Sequence, residues 1–478
     1  MIPVLLITIP LLAGILAFVL KQYSKHLAWL ASLATLGVML YAIMVPHCSC
    51  NNAYTAAWLP SLGASFTVGL SGVGTVLCLL TAFTFPLIYL GTSERKYDNE
   101  SSFFALMLLS QAGLMGVFVA MDGLLFYFFW EIALIPVYFL CSIWGGSKRI
   151  AASFKFFIYT FLGSLFMLIA LIYLSNQTLG NPSFALQDLY ALKLSIKQQG
   201  YIFSALFVAF AIKMPIFPLH TWQPAAYNQA PTAVTMVLSA VMVKMGLLGI
   251  IRWLIPIVPD ATALASKAVM VFSIIGIIYA SLIAMKQDNL KKLVAYSSIA
   301  HMGLMCAALF TQNNLGVQGA VGQMFHHGIN ILGLWIVLDI IERKTGIKHM
   351  SALGGLAKVA PNLAIYLTII ALANIALPLT NAFVGEFLML SALYQYNIWM
   401  AAAAGVAVIL SAVYTLSMIQ KVFYGSTNVI TTTVSDISLN EKATLIIIIL
   451  FILIMGIYST PMYHIMNTDA SLTLITKP

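Results

Sequence analysis

Charge is what this chain has least of. Aspartate, glutamate, lysine and arginine make up 8% of its 478 residues, against about 25% in an average soluble protein. So few charges cannot cover a water-facing surface, which excludes a soluble enzyme or binding module. Long polar stretches are also missing. The two largest lie near 46–65 and 175–199, too short for a nucleotide, flavin or quinone-reducing domain, and neither a GxGxxG nor a P-loop occurs. Cysteine is scarce: five residues, with no CxxC pair and no Cys/His spacing suited to zinc or an iron–sulfur cluster. Cys48 and Cys50 share a polar loop, where they form a strained disulfide at best. Cys78, Cys141 and Cys306 lie alone in apolar runs and read as inert packing. The net charge of +9 is scattered between those runs, a pattern that serves orientation in a bilayer and not nucleic acid.

What fills the chain is apolar: 61% hydrophobic residues and a mean hydropathy of +0.97. It reads as an all-α polytopic membrane protein. Runs long enough to cross a bilayer fall near 2–20, 27–45, 66–90, 103–121, 124–144, 152–174, 200–228, 232–254, 262–286, 293–311, 316–341, 362–395, 397–424 and 443–463, about fourteen spans. Lys21 and Lys25 follow the first run instead of preceding it, the wrong order for a cleaved signal peptide, so that run is expected to stay as an anchor. With fourteen spans both termini share one side. Sixteen of the 23 basic residues fall on the other side, among them Lys148, Arg149, Lys291 and Lys348, against five (Lys193, Lys197, Arg252, Lys267, Lys477) on the side of the termini. That bias makes the richer side cytoplasmic and places both termini in the periplasm of a bacterial inner membrane. The segment 175–199, with Leu189, Leu192 and Ile196 among Asp188, Lys193 and Lys197, reads as a short interfacial helix.

Two spans carry their own interruption. The seventh contains Lys213-Met-Pro215-Ile-Phe-Pro218-Leu-His220, the twelfth Pro378-Leu-Thr-Asn381-Ala-Phe-Val-Gly385-Glu386. Proline removes a donor and clashes with the carbonyl four residues back, so breaks are expected at 213–218 and 378–386. Irregular backbone at that depth survives only inside protein or along a wet cavity. The breaks lie five spans apart. Residues 103–254 and 262–425 therefore read as two five-helix repeats in opposite orientations, a plan found in ion transporters, preceded by a three-helix segment at 1–90 and followed by a last helix at 443–463.

Four charges are expected near the bilayer centre: Glu131, Lys213, Lys244 and Glu386. Each costs at least about 2.5–3.5 kcal/mol at the bilayer centre. A structural ion pair between Glu131 and Lys213 would leave Lys244 and Glu386 unexplained; an acid, base and imidazole series reads better as a proton or ion path. Lys213 ends its half-helix at the negative end of the dipole, and Pro215 and Pro218 free the carbonyls of Ala211 and Met214 as acceptors. Glu386 falls in the first turn of its half-helix if that helix restarts near Phe383, where the dipole is positive. His301 and His327 lie on successive spans where they could bridge Lys244 to Glu386; adjacent His326 joins the group, and His220 reads as structural. A pair of histidines could instead ligate a haem iron, but the lysines and glutamates would then have no role.

The residues Phe-Phe-Trp130-Glu131-Ile-Ala-Leu-Ile-Pro136, Lys213-Met-Pro215-Ile-Phe-Pro218-Leu-His220-Thr-Trp-Gln-Pro, Gln229-Ala-Pro231-Thr, Tyr296-Ser-Ser-Ile-Ala-His301-Met-Gly and Phe383-Val-Gly-Glu386-Phe resemble the antiporter-like membrane subunits of proton-pumping NADH:quinone oxidoreductase, respiratory complex I, over about residues 90–425. Glutamate at Glu386, where many relatives have lysine, points to the M-type branch. The resemblance implies a proton path in which Glu131 tunes Lys213, Lys244 passes the proton on, and His301 and His327 relay it to Glu386. It also implies no cofactor in this chain, with FMN, iron–sulfur clusters, NADH and quinone in other subunits, and L-type and N-type membrane subunits as neighbours within the lipid bilayer. Subunits of multi-subunit cation/proton antiporters and membrane-bound hydrogenase arms share most of these motifs. Leu379-Thr380-Asn381-Ala382 departs from the family's glycine-rich break, and Ala300 replaces a common serine, so the link at His301 would depend more on water.

Overall fold

The computed structural model describes residues 1–44 and 53–466, so Cys48, Cys50, Asn51, Thr476 and Lys477 lie outside the described residues. The first helices are α1 (Ile2–Val19) and α2 (Ser24–Met44), then strands β1 (Tyr54–Leu59) and β2 (Ala64–Val68). Next come α3 (Gly72–Gly91), α4 (Glu100–Val119), α5 (Gly123–Trp144), α6 (Arg149–Ser175), α7 (Leu186–Tyr190), α8 (Ile196–Lys213), α9 (Gln223–Gln229), α10 (Thr232–Val237) and α11 (Lys244–Gly249). The second half holds α12 (Pro259–Lys286), α13 (Leu290–Leu309), α14 (Asn314–Thr345), α15 (Leu356–Val359), α16 (Pro361–Asn374), α17 (Asn381–Tyr396), α18 (Ile398–Phe423), α19 (Leu439–Ile457) and α20 (Thr460–Met466).

Twelve helical stretches among the described residues are long and apolar enough to cross a membrane, with α10, α11 and their π-turns forming one stretch, Thr232–Leu254. They coincide with the twelve spans expected to run unbroken. The remaining two expected spans are interrupted. One pairs α8 with α9 across residues 214–222, the other α16 with α17 across 375–380, so the second break begins and ends earlier than expected. Proline alone does not decide this, since Pro10, Pro86 and Pro136 sit inside continuous helices.

Thr232–Leu254 and α14 are buried along the length of a span, which makes them the two axial helices of the molecule. Around them α13 packs on α12 and α14, α14 on α16 and α17, and α8 on α6 and α11. Gly246 permits the last of these contacts: a Cβ there would come within 2.6 Å of Phe210 O and 3.0 Å of Met214 N. The end of the α8 half-helix is thereby seated against the helix that carries Lys244.

Four features differ from the sequence expectation. The chain is not purely helical: β1 and β2 form an antiparallel hairpin, and the third span starts at Gly72, six residues later than its apolar run. The hairpin turn uses Gly63 in the left-handed region (φ +73°), where a Cβ would strike Pro182 O. Asp122 anchors the hairpin to the bundle, capping α5 through Leu124 N and Leu125 N while accepting Ser65 N at 2.9 Å. The interfacial helix shrinks to α7, five residues without Leu192 or Ile196, because the Ser195–Gln198 capping box starts α8 at Ile196. Arg252, counted among loop charges, is buried and donates to Phe118 O, Ala120 O and Ser71 Oγ. Finally, the buried charges include Asp339 on α14, which is wholly inaccessible and lies 2.7 Å from Arg95 Nε.

Candidate functional site

Lys244 owes its position to a backbone irregularity. Residues 238–242 form a π-turn, in which Val243 N–H bonds to Leu238 O at 3.2 Å. The carbonyl of Ser239 within this turn accepts Lys244 Nζ at 2.6 Å. The ammonium, fully buried, turns toward α14 and lies 3.0 Å from His327 Nδ1. The next step is to α13: the His327 and His301 rings are 5.2 Å apart between centroids. His301 Nδ1 lies 3.2 Å from Glu386 Oε1 on α17. Lys244, His327, His301 and Glu386 are therefore contiguous, four residues from four helices, all buried.

Sequence reasoning missed Gln323, which completes this end. Its Nε2 donates to Glu386 Oε1 at 3.2 Å. The spacing carried the signal, for Gln323, His327 and Asn330 recur at i, i+4 and i+7 on one face of α14. The restart of α17 also differs. Asn381 opens the helix after Thr380, so Glu386 is its sixth residue, beyond the first turn. Its carboxylate is held by the His301 and Gln323 side chains and not by free N–H groups at a helix end. A cavity of about 20 Å³ adjoins it, lined by His301, Ala300, Glu386, Ser411 and Tyr414. That volume holds about one water, and Ala300 forms part of its wall.

The other two candidate charges form a separate group. Lys213 is the last residue of α8, as expected, and is buried. Its Nζ has no hydrogen-bonding partner among the described residues and lies 5.4 Å from the centre of the Trp130 ring and 5.9 Å from Phe156. These aromatic faces stabilise a cation without holding it by a hydrogen bond. Glu131 acts on Lys213 electrostatically, yet the two are not in ion-pair contact, and Glu131 Oε1 also lacks a partner. The carbonyl of Ala211 is not free: Ile216 N–H takes it at 3.0 Å, while Trp222 Nε1 takes Ile212 O at 2.9 Å. The break is closed by its own backbone and Trp222, and Lys213 is left to face rings and Glu131.

His220 is buried, stacks on Phe217 and meets Tyr279 edge to face, a packing position. His326 is buried, with no partner for either ring nitrogen among the described residues. Unpaired polar atoms in an apolar interior cost about 1–3 kcal/mol each. Among the described residues such atoms include Lys213 Nζ, Glu131 Oε1, His301 Nε2 and His327 Nε2. No group of three or more His, Cys, Asp or Glu suited to a metal occurs among the described residues, and Cys78, Cys141 and Cys306 are free and buried.

Residues 120–413 match the family described as NADH:quinone oxidoreductase/Mrp antiporter, TM. NADH-quinone oxidoreductase subunit M of Rhodobacter capsulatus is 38% identical over 84% of this chain and 80% of its own. The F(420)H(2) dehydrogenase subunit M of Methanosarcina mazei is 34% identical over 99% of each chain. Among solved structures, a chain of respiratory complex I from Thermus thermophilus with bound NADH superposes with a TM-score of 0.90 at 29% identity, covering 99% of this chain and 100% of that one. The two broken helices, the axial lysine and the glutamate beyond the second break thus stand in a chain that belongs to the NADH:quinone oxidoreductase/Mrp antiporter transmembrane family.

Proposed function

We propose that this chain is the M-type proton-translocating subunit in the membrane arm of a respiratory NADH:quinone oxidoreductase, and that Glu131, Lys213, Lys244, His327, His301 and Glu386 carry the proton. The observation that carries this reading is the continuous contact from Lys244 to Glu386, which joins two buried charges of opposite sign through two imidazoles. Imidazole both accepts and donates a proton within the physiological range, so a His–His step passes a proton where a metal ion would stall.

In this reading Lys213 is the loading site and Glu131 its tuning charge. The missing ion-pair contact suits the role, because a lysine clamped by a carboxylate at hydrogen-bond distance would not release its proton. Loading passes from Lys213 to Lys244 across the α8–α11 contact at Gly246, with water as the carrier. Coupling to quinone reduction takes place in other subunits, and this chain holds no redox centre. Its neighbours are the L-type and N-type membrane subunits. The twelve continuous spans and the two interrupted ones make fourteen crossings, arranged as two inverted five-helix repeats at 103–254 and 262–425, with both termini periplasmic. A cation/proton antiporter or a hydrogenase arm is the second reading, favoured by the Mrp members of the family; pumping that requires sodium would select it.

Two substitutions test the path. Glu131→Ala should leave an assembled complex that pumps and turns over at a small fraction of the wild-type rate. Lys213→Arg should be as severe, because guanidinium stays protonated under any working condition. Proton uptake by vesicles containing the Lys213→Arg complex at the wild-type rate would remove Lys213 from the path. Loss of assembly in Glu131→Ala would make that residue a structural charge.

A further inference from the structure

On the face that carries most of the basic residues, the loop before α4 and the ends of α5, α6, α9, α10, α13 and α14 surround a polar cavity of about 430 Å³. Five cations line it, Arg95, Lys96, Arg149, Lys291 and Lys348, against two carboxylates, Asp98 and Glu342. Glu342 is already engaged, while Asp98 is exposed at the rim. Lys291 Nζ lies 2.7 Å and Lys348 Nζ 3.0 Å from Glu342. Arg95 turns its Nε inward to Asp339 at 2.7 Å. Lys96 and Arg149 remain exposed at the rim without an acidic partner among the described residues. The cavity therefore keeps an excess of positive charge that the chain does not neutralise.

A second cavity, of about 400 Å³, continues from the first and shares Asp98, Ile143 and Trp144 with it. Its character is different. Phe18 of α1, Leu106 of α4, and Phe139 and Ile143 of α5 make it an apolar groove open toward the bilayer, with Phe18, Phe139 and Ile143 all exposed. Trp144 stands at the junction, its Nε1 bonded to Asp98 O at 2.5 Å, the placement of an indole at a membrane interface. A cationic recess at the helix ends and an apolar furrow running from it into the hydrocarbon match the two halves of one kind of molecule.

We propose that this paired cavity is a binding site for an anionic diacyl phospholipid. The headgroup phosphate sits among Arg149, Lys96 and Arg95, and an acyl chain lies in the groove between α1, α4 and α5. Basic pockets between membrane helices select anionic headgroups in this way. A soluble phosphate would use the recess but leave the groove empty. A neutral lipid would use the groove without the cations. Only the anionic lipid satisfies both. Bound there, it bridges α1 and α4 to α5, the helix of Glu131, and so braces the first charged group of the path.

The test uses the assembled complex in vesicles of phosphatidylcholine with small fractions of phosphatidylglycerol, either lipid brominated on its chains, and reads quenching of Trp144 as the difference between wild type and Trp144→Phe. Brominated phosphatidylglycerol should quench Trp144 at mole fractions at least tenfold below those needed for brominated phosphatidylcholine. The double variant Lys96→Gln/Arg149→Gln alters two exposed side chains and should bring the two curves together. Inorganic phosphate at 10 mM should not restore the fluorescence. Coincident curves in wild type would mean an ordinary annular lipid and overturn the proposal. Displacement by inorganic phosphate would make the recess a soluble-anion site and overturn it too. No quenching by either lipid would assign the groove to a neighbouring chain, with the same result.

Discussion

Glu386→Gln isolates the end of the proposed relay with little change in shape. Glu386 Oε1 accepts Gln323 Nε2 and lies beside His301 Nδ1, both at 3.2 Å. The amide keeps an acceptor oxygen for Gln323 but cannot take up a proton. A hydrogen bond to a charged group contributes about 1.5–3 kcal/mol and a neutral one about 0.5–1.5 kcal/mol, so removing the charge raises the relay's last station by about 1–3 kcal/mol. At about 1.4 kcal/mol per factor of ten, proton transfer should fall by about tenfold to a hundredfold. The assay is substrate-driven proton uptake by vesicles containing the complex, normalised to assembled complex on native gels. Assembly should be unchanged, because the glutamine retains the Gln323 contact. Glu386→Lys is the control: its ammonium can use Gln323 Oε1, which has no partner among the described residues, and it remains titratable, so it should retain more activity than glutamine. Pumping by Glu386→Gln within twofold of wild type would show that the proton leaves before Glu386, and the relay would end at His301.

Gly246→Ala places a Cβ 2.6 Å from Phe210 O; the backbone must yield, costing about 1–3 kcal/mol, and both thermal stability and pumping should drop together, whereas an unchanged Tm would show that α8 and α11 are not in tight contact. Asp436 lies in the loop before α19, where burial pushes its carboxyl up, but hydrogen bonds from Ile437 N, Asn362 and Leu363 N outweigh that and hold it below the usual range. Because the folded pKa is depressed, its contribution is present above the unfolded carboxylate value and is lost as pH falls through the folded one. Hydrogen exchange at the start of α16, corrected for intrinsic rates, should rise across that acid window in wild type. It should already be high at neutral pH in Asp436→Asn; identical profiles would exclude this cap. Cysteines at Asn51, Gln198 and Thr476 should be labelled from the periplasmic side, and those at Lys148 and Asp288 from the cytoplasmic side; the reverse pattern would invert the orientation and the direction of the path.

The sequence was most legible where the bilayer makes an error expensive. A charge or a proline at mid-membrane has few explanations, so Lys213, Lys244 and Glu386 and the two interruptions announced themselves. What the sequence could not reveal were features made from ordinary residues. The π-turn at 238–242 arises in Leu-Ser-Ala-Val-Met, with neither glycine nor proline to mark it, yet it supplies the carbonyl that holds Lys244. Gln323 is neutral and drew no attention, although its spacing from His327 placed it on the relay face. Asp339 and Glu342 lie at the end of a long apolar run, where charges are usually taken to reach the membrane surface. Only the fold brings Arg95 and Lys291 over them. The hairpin was hidden for another reason: its strands are five and six residues long, and the second merges with the apolar run of α3.

The second break shows how an interruption persists without the usual glycine. Ala376 and Leu379 both adopt positive φ, 57° and 73°, a conformation that costs a residue with a Cβ about 1–2 kcal/mol. Pro378 alone would not impose it, since Pro136 leaves α5 continuous. The compensation comes from outside the helix. Gly456 on α19 lies directly against the break, so close that a Cβ would meet Leu379 O at 2.2 Å, and Thr380 Oγ1 bonds back to Leu377 O at 2.6 Å. A break packed against α19 and closed by its own hydrogen bond is a fixed bend and not a hinge. If the backbone beside Glu386 does not move, control of the outlet must rest with what does: the His301 ring, the Gln323 amide and the single water that the cavity beside Ala300 can hold. Alanine at that wall removes a hydroxyl that could have fixed the water, which leaves its orientation to His301 and Glu386. In the proposed relay the last step then runs through the His301, Gln323 and Glu386 side chains, with His301 Nδ1 and Gln323 Nε2 each 3.2 Å from Glu386 Oε1.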